Sequence, residues 1–145
     1  MNDLLRFLHI LFASTWLGAT LWVAGDVRRT LARGGGAAGT LDARVSPALR
    51  LDLAAGVLVI VTGVLVLVAQ GAHPRVGIMI GFALALLRLA VVAMGLLPAW
   101  RGLAASLRAG EAVPAADAAV RRMAMFSGIA HTLWVVALAT MVFPV

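Results

Sequence analysis

Apolar residues along this chain neither alternate nor recur as isolated amphipathic stripes. They run in four long blocks, roughly residues 4–24, 49–69, 76–97 and 123–143. Each is close to the ~20 residues that cross a hydrocarbon core. In lipid a peptide group has no water to bond, so a spanning segment must satisfy its backbone internally, as a helix does. The pattern predicts an all-α polytopic membrane protein, one transmembrane domain over 1–145, folded as an antiparallel bundle of four helices. The connection Gln70–Arg75 is short, so the second and third spans are expected to be neighbours. Asp26–Pro47, with Gly34, Gly35, Gly36 and Gly39, reads as a flexible cytoplasmic linker. The third connection holds Glu111, Pro114 and Asp117, and its alanine-rich stretch from Ala115 is expected to add a turn of interfacial helix. The first block has Asp3 against a single Arg6 and no small-x-small cleavage site behind it, so it reads as a retained helix rather than a signal peptide.

Composition agrees with the pattern: 63% hydrophobic residues and a mean hydropathy of +1.03 leave too little polar surface for a water-soluble globule of this size. The 12 basic residues are all arginine. Arg28, Arg29, Arg33, Arg44 and Arg50 follow the first span, and Arg101, Arg108, Arg121 and Arg122 follow the third, whereas only Arg6 and Arg75 lie on the other side. The positive-inside rule puts both longer connections in the cytoplasm and both termini outside. The net charge of +6 thus reads as topology and contact with lipid headgroups, not as a nucleic-acid surface. With no cysteine, disulfides, thiolate metal sites and thiol nucleophiles are excluded. No acid pair, activated nucleophile or phosphate-binding loop accompanies the spans, which argues against an ordinary hydrolase.

Within the spans, small residues mark where helices can approach. Gly77, Gly81, Arg88 and Gly95 share one stripe of the third span; Gly56 and Gly63 mark the second, and Ser14 and Gly18 the first. The polar exceptions are the candidates for chemistry. His9 and Trp16 stand seven apart on one face of the first span. Counting a rise of about 1.5 Å per residue puts His9 roughly 8 Å below the outer border and Arg88 and His131 roughly 18 Å below it. Asp52 and the other acids are expected at or beyond the borders, which leaves Arg88 without a carboxylate at its own depth. It would then snorkel, meet an anionic ligand group such as a haem propionate, or donate to His131.

A neutral imidazole at either histidine could ligate haem iron, with Trp16 as a pocket wall, or simply bond to backbone and interfacial water. The difference in depth argues against His9 and His131 clamping one haem. Copper is the alternative metal, since Met79, Met94, Met123, Met125 and Met141 lie in or beside the spans and thioethers with imidazole suit Cu(I). Met123 and Met125 point about 200° apart on a helix, which weakens that pair as ligands. Without a cofactor, the small-residue seams would serve assembly with a second copy or another membrane protein.

The run His9 to Gly18, with Trp16-Leu17-Gly18 at its end and Arg28-Arg29 beyond it, resembles the first helix of HemJ-type membrane proteins and of copper-resistance D (CopD) domains. The length, four spans and terminal Phe143-Pro144 are also similar to the HemJ type. That resemblance implies a bacterial inner-membrane bundle binding haem b through His9 and, in the HemJ type, oxidation of protoporphyrinogen IX; the CopD likeness implies copper handling. Two HemJ features are absent: a lysine early in the third span, where this chain has Arg75-Val76-Gly77, and an Asn-Glu-x-Pro motif opening the fourth, where it has Phe126-Ser127-Gly128-Ile129. His131 and Arg88 are the polar groups available in their place. The expected site is therefore His9 and His131 as ligands with Trp16 and Arg88 lining the cofactor.

Overall fold

The computed structural model describes residues 2–33, 38–71, 73–109 and 113–143, the side chains at 2, 38 and 113–116 excepted. Among them every regular element is helical: α1 (Asn2–Leu21), α2 (Val23–Ala32), α3 (Ala38–Ala69), α4 (Val76–Val91), a π-helical turn (Val92–Leu96), α5 (Leu97–Arg108) and α6 (Val113–Val142). Four helical stretches are long and apolar enough to cross a membrane, Asp3–Ala32, Gly39–Ala69, Val76–Arg108 and Asp117–Val142. The chain is a multi-pass membrane protein built as a four-helix bundle. Leu21, Val68, Met94, Val135 and Phe143 are exposed on its flanks, as a surface that meets lipid requires.

The helices outrun the apolar blocks, which corrects the reading of Asp26–Pro47 as a linker. Val27 and Thr30 are buried on α2 and Leu41, Val45, Ala48 and Leu49 on α3, so an amphipathic stripe continues the bundle beyond the hydrocarbon. The arginines between these positions face out and mask the periodicity in the sequence. Arg44 joins the two elements, 3.1 Å from the Asp26 carboxylate and donating to the Thr30 hydroxyl at 3.3 Å. Of the predicted linker, Gly34, Gly35 and Gly36 lie outside the described residues, as do Glu111, Pro144 and the side chains of Pro114 and Ala115. The third span likewise continues through α5 to Arg108. The π turn precedes Pro98, which has no N–H to return to the Met94 carbonyl, so the helical ladder is rewrapped rather than stopped.

Gln70 and Gly71 form a turn after α3, with Gly71 at φ 90, a backbone region that glycine enters without a side-chain clash. Packing is chiefly α1 along α3 and α4 along α6, with α5 closing the arginine-rich end against α3 and α6. Gly81 lets Met141 and the Ala137 carbonyl lie against α4, and Gly95 does the same for Phe126. Among the described residues no other helix packs on the expected Ser14–Gly18 seam at Gly18. Gly18 has nothing within 4 Å of a Cβ position, and the Ser14 hydroxyl donates to the Ile10 carbonyl of its own helix.

The arginine-rich end is filled by bulky groups, among them Leu41, Leu49, Leu96, Trp100, Leu103 and Met123. Towards the other end the interhelical lining thins to Ala13, Gly63, Ala85 and Ala137, and open volume remains between the helices.

Candidate functional site

Two polar centres lie inside the bundle, and they differ in how completely their groups are bonded. The inner one corrects the expectation that Arg88 has no counter-ion. Arg88 and Asp52 are both 0% exposed and form a two-pronged ion pair, with Arg88 Nη2 donating to Asp52 Oδ1 at 2.7 Å and Nη1 to Oδ2 at 3.2 Å. Neither snorkelling nor a free anion contact describes this guanidinium. Asp52 was expected at a membrane border because the apolar block begins only at Leu49. In the fold α3 starts far earlier, and Asp52 lies on its buried stripe with Ala55, Gly56 and Val59.

α1 completes this centre. Trp16 Nε1–H donates to Asp52 Oδ2 at 3.2 Å, and the Thr20 hydroxyl donates to Oδ1 at 3.0 Å. Arg88 Nη2 also donates to the Trp16 carbonyl at 3.2 Å, and its guanidinium carbon lies 4.1 Å from the Trp16 ring centroid. A carboxylate has about four lone-pair sites, and here each oxygen accepts two bonds. Such an Asp52 has no acceptor capacity left for a further ligand. Trp16 is thereby a clamp between α1, α3 and α4. Its indole fills the space over Gly56, where an added Cβ would come within 2.8 Å of the ring. Arg88 Nε is the one group of the cluster left buried without a partner.

The outer centre is His9. Its Nδ1 lies 3.1 Å from the Thr62 hydroxyl oxygen. That hydroxyl has one proton, which it gives to the Leu58 carbonyl at 2.6 Å. With its proton on that carbonyl, Thr62 accepts from His9, whose ring also bonds to the Val59 backbone; in this tautomer the proton of the neutral ring is on Nδ1 and the Nε2 lone pair is free. No hydrogen bond to Nε2 is found among the described residues. Gly63 brings the backbone of α3 within reach of the ring, a Cβ there lying 3.2 Å from His9 Cε1.

Two open grooves meet at this imidazole. One, about 380 Å³, runs between α3 and α4 past Val59, Gly63, Phe82 and Met79. The other, about 290 Å³, runs between α1 and α6 past Ala13, Trp134 and Leu138, with Trp16 and Arg88 in its wall. His9, Val59, Ala85 and Met141 belong to both. Each volume is in the range of small-molecule sites, about 300–1,000 Å³ or just under it.

Of the four expected site residues, His9, Trp16 and Arg88 thus border one groove, and His131 borders neither. His131 is ten residues along α6 from Met141, about 15 Å at helical rise. Its Nδ1 is 2.6 Å from the Ser127 carbonyl, and its buried Nε2 has no partner. Gly128, three residues before His131 on α6, has nothing within 4 Å of a Cβ position. His73 is exposed in the connection between α3 and α4.

Sequence reasoning missed Asp52, Thr20 and Thr62. Trp16 and Thr20 are one turn apart, and Asp52 and Thr62 share the α3 stripe with Gly56 and Val59, so a helical projection of α3 would have turned both polar groups inward. Among the described residues no group of three or more histidine, aspartate or glutamate side chains comes together as a metal cluster. Comparison with protein-family models, curated proteins and solved structures gave no match to this chain.

Proposed function

We propose that the chain is a haem b-binding protein of the bacterial cytoplasmic membrane, with His9 as the axial ligand. The observation that carries this reading is the bonding of the ring: Thr62 holds Nδ1–H and leaves Nε2 as a free, neutral donor at the junction of two apolar grooves. Metal-ligating histidines are typically oriented by such a partner on the other nitrogen. Val59, Phe82, Ala85 and Trp134 supply apolar walls against which a macrocycle could lie. Arg88 contributes as a wall whose charge Asp52 has already neutralised. On the side of Arg6 and Arg75, the Arg75 guanidinium reaches the Met141 carbonyl at 3.4 Å and is the cation beside the groove that a propionate could meet. His131 lies outside this pocket and is not assigned to the same iron. Bound haem would supply one-electron chemistry; the chain's own part is to hold the ring, exclude water and keep charge away from the apolar walls. The likeness of the His9–Gly18 segment to the HemJ type agrees with a haem site, while the absent lysine and Asn-Glu-x-Pro motif leave the reaction unassigned.

The test is the visible spectrum of protein purified in mild detergent after expression with ample haem, oxidised and then reduced with dithionite. A Soret band lost in His9→Ala and kept in His131→Ala is expected. A colourless protein, or a band unchanged in His9→Ala, overturns the reading.

One observation favours a second reading. Met79 and Met141 line the same groove as His9, which brings together two thioethers and an imidazole, a donor set suited to Cu(I). Metal analysis after mild chelation distinguishes the two: about one copper per chain, lost in His9→Ala and reduced in Met141→Leu, would replace haem as the ligand.

A further inference from the structure

At the arginine-rich end a third polar feature belongs to neither internal centre. α3 and α5 lie side by side there and enclose a cavity of about 250 Å³ lined by Asp42, Ser46, Arg50, Trp100, Arg101 and Arg108, with Leu53 and Leu97 at its membrane side. A second cavity of about 260 Å³ adjoins it past Gly39, Asp42, Trp100 and Arg108. Trp100 is its rigid floor: the indole is buried, and its Nε1–H donates to the Ser46 hydroxyl at 3.0 Å. Ser46 in turn donates to Asp42 Oδ1, and Arg108 Nη2 donates to Asp42 Oδ2 at 2.9 Å. The one acid of the cavity is thus engaged at both oxygens. Arg50 and Arg101 are exposed and make no hydrogen bond or ion pair among the described residues. Three arginines against one aspartate leave an excess of two positive charges over an aromatic floor.

We propose that this cavity binds the phosphate headgroup of an anionic phospholipid, with Arg50 and Arg101 as its contacts and Arg108 held in place by Asp42. Position favours a lipid over a soluble anion. Val76–Arg108 is 33 residues, about 50 Å of helix, against a hydrocarbon core of about 30 Å. α5 therefore emerges through the headgroup layer, where a tryptophan belongs and where clustered arginines meet negative lipid. Leu53 and Leu97 below the arginines continue the cavity into an apolar wall of the kind an acyl chain would follow. The two unpaired charges match one diphosphatidyl headgroup or two singly charged ones.

The full-length protein in mild detergent is titrated with cardiolipin, phosphatidylglycerol, phosphatidylcholine or inorganic phosphate, and bound lipid is read by native mass spectrometry. Cardiolipin is expected to bind at least tenfold more tightly than phosphatidylcholine. Arg50→Gln with Arg101→Gln should remove most of that preference, and lysine at both positions should restore part of it. Arg28→Gln with Arg121→Gln removes the same charge elsewhere and should leave the preference intact. Equal loss in both double variants would overturn the proposal in favour of diffuse attraction. Binding of inorganic phosphate without discrimination among lipids would overturn it in favour of a free-anion site. Thermal melting of each variant in the same detergent separates loss of binding from loss of fold.

Discussion

The Asp52 cluster and the His9 groove are both polar intrusions into an apolar bundle, yet they are constructed oppositely. Around Asp52 every carboxylate lone pair is used, the pair is sealed from solvent and lipid, and three helices contribute to it. Around His9 the Thr62 hydroxyl and the Val59 backbone hold the ring, the Nε2 lone pair stays free in that tautomer, and open volume lies on two sides. Burial of a charge is costly in hydrocarbon, and a charge that persists there must be compensated. The comparison teaches that polarity inside a membrane domain is not by itself a mark of a ligand site. What distinguishes the two is unsatisfied bonding capacity next to unfilled space.

The largest effect is expected from breaking the saturated cluster on one side. Arg88→Leu leaves Asp52 buried with only Trp16 and Thr20 to face it, and removing one partner of a buried pair costs roughly 3–5 kcal/mol. Asp52→Leu should cost a similar amount. The double variant, with both charges gone, should recover most of that loss. Equilibrium unfolding in mixed micelles, followed by tryptophan fluorescence, measures the three. A double variant as unstable as either single one would show that the cluster does more than hold α1, α3 and α4 together.

A smaller loss is expected where the cluster meets its packing. Gly56→Ala places a methyl group within 2.8 Å of the Trp16 indole, and relieving that overlap must shift either the ring or α1. Overpacking of this kind costs typically about 1–3 kcal/mol. If ligand binding needs only His9 and its groove, Gly56→Ala should lower the unfolding midpoint while leaving the affinity of the outer site within about twofold.

These two centres were unequally legible in the sequence. The apolar blocks located all four spans, because a membrane helix needs a long apolar run and little else produces one. They did not locate the ends, because Val27, Thr30, Leu41 and Val45 are buried among outward-facing arginines at helical spacing. That error carried into the site. With α3 started at Leu49, Asp52 appeared to be a border residue, and Arg88 appeared to be unpaired. His9 and Trp16 were visible as a shared face, but their roles separate in space: Trp16 bonds to Asp52 and His9 to Thr62. Which helix meets which is a tertiary fact, and the pairing of α1 with α3 is what assigns those partners.

The unsaturated centre should respond in the reverse way, losing function before stability. Thr62→Val removes the acceptor for His9 Nδ1–H, while Val59 and Gly63 remain beside the ring. Loss of an orienting partner typically lowers metal or cofactor affinity by about 10–100-fold. Stability should fall by about 1 kcal/mol, the net worth of an ordinary hydrogen bond. Haem retention during detergent exchange, compared with the unfolding midpoint of the same preparation, reads both. A variant that loses stability and keeps its ligand would assign Thr62 to the frame instead of the site.

The smallest effect is expected at Gly18, which separates the internal frame from any surface use of α1. Its helix face is open, with nothing within 4 Å of a Cβ position, although Trp16 and Thr20 on either side point inward to Asp52. Gly18→Leu should therefore leave unfolding within about 0.5 kcal/mol of the parent, as substitutions away from internal packing do, with a slight gain from better helix propensity. The His9 groove lies further along α1 and should bind as before. If instead the variant changes the size of the detergent-solubilised particle while its unfolding and ligand affinity stay fixed, the Ser14–Gly18 seam serves a contact between chains. The bundle would then have three kinds of helix face on α1: one closed on Asp52, one open to a ligand, and one open to a neighbour.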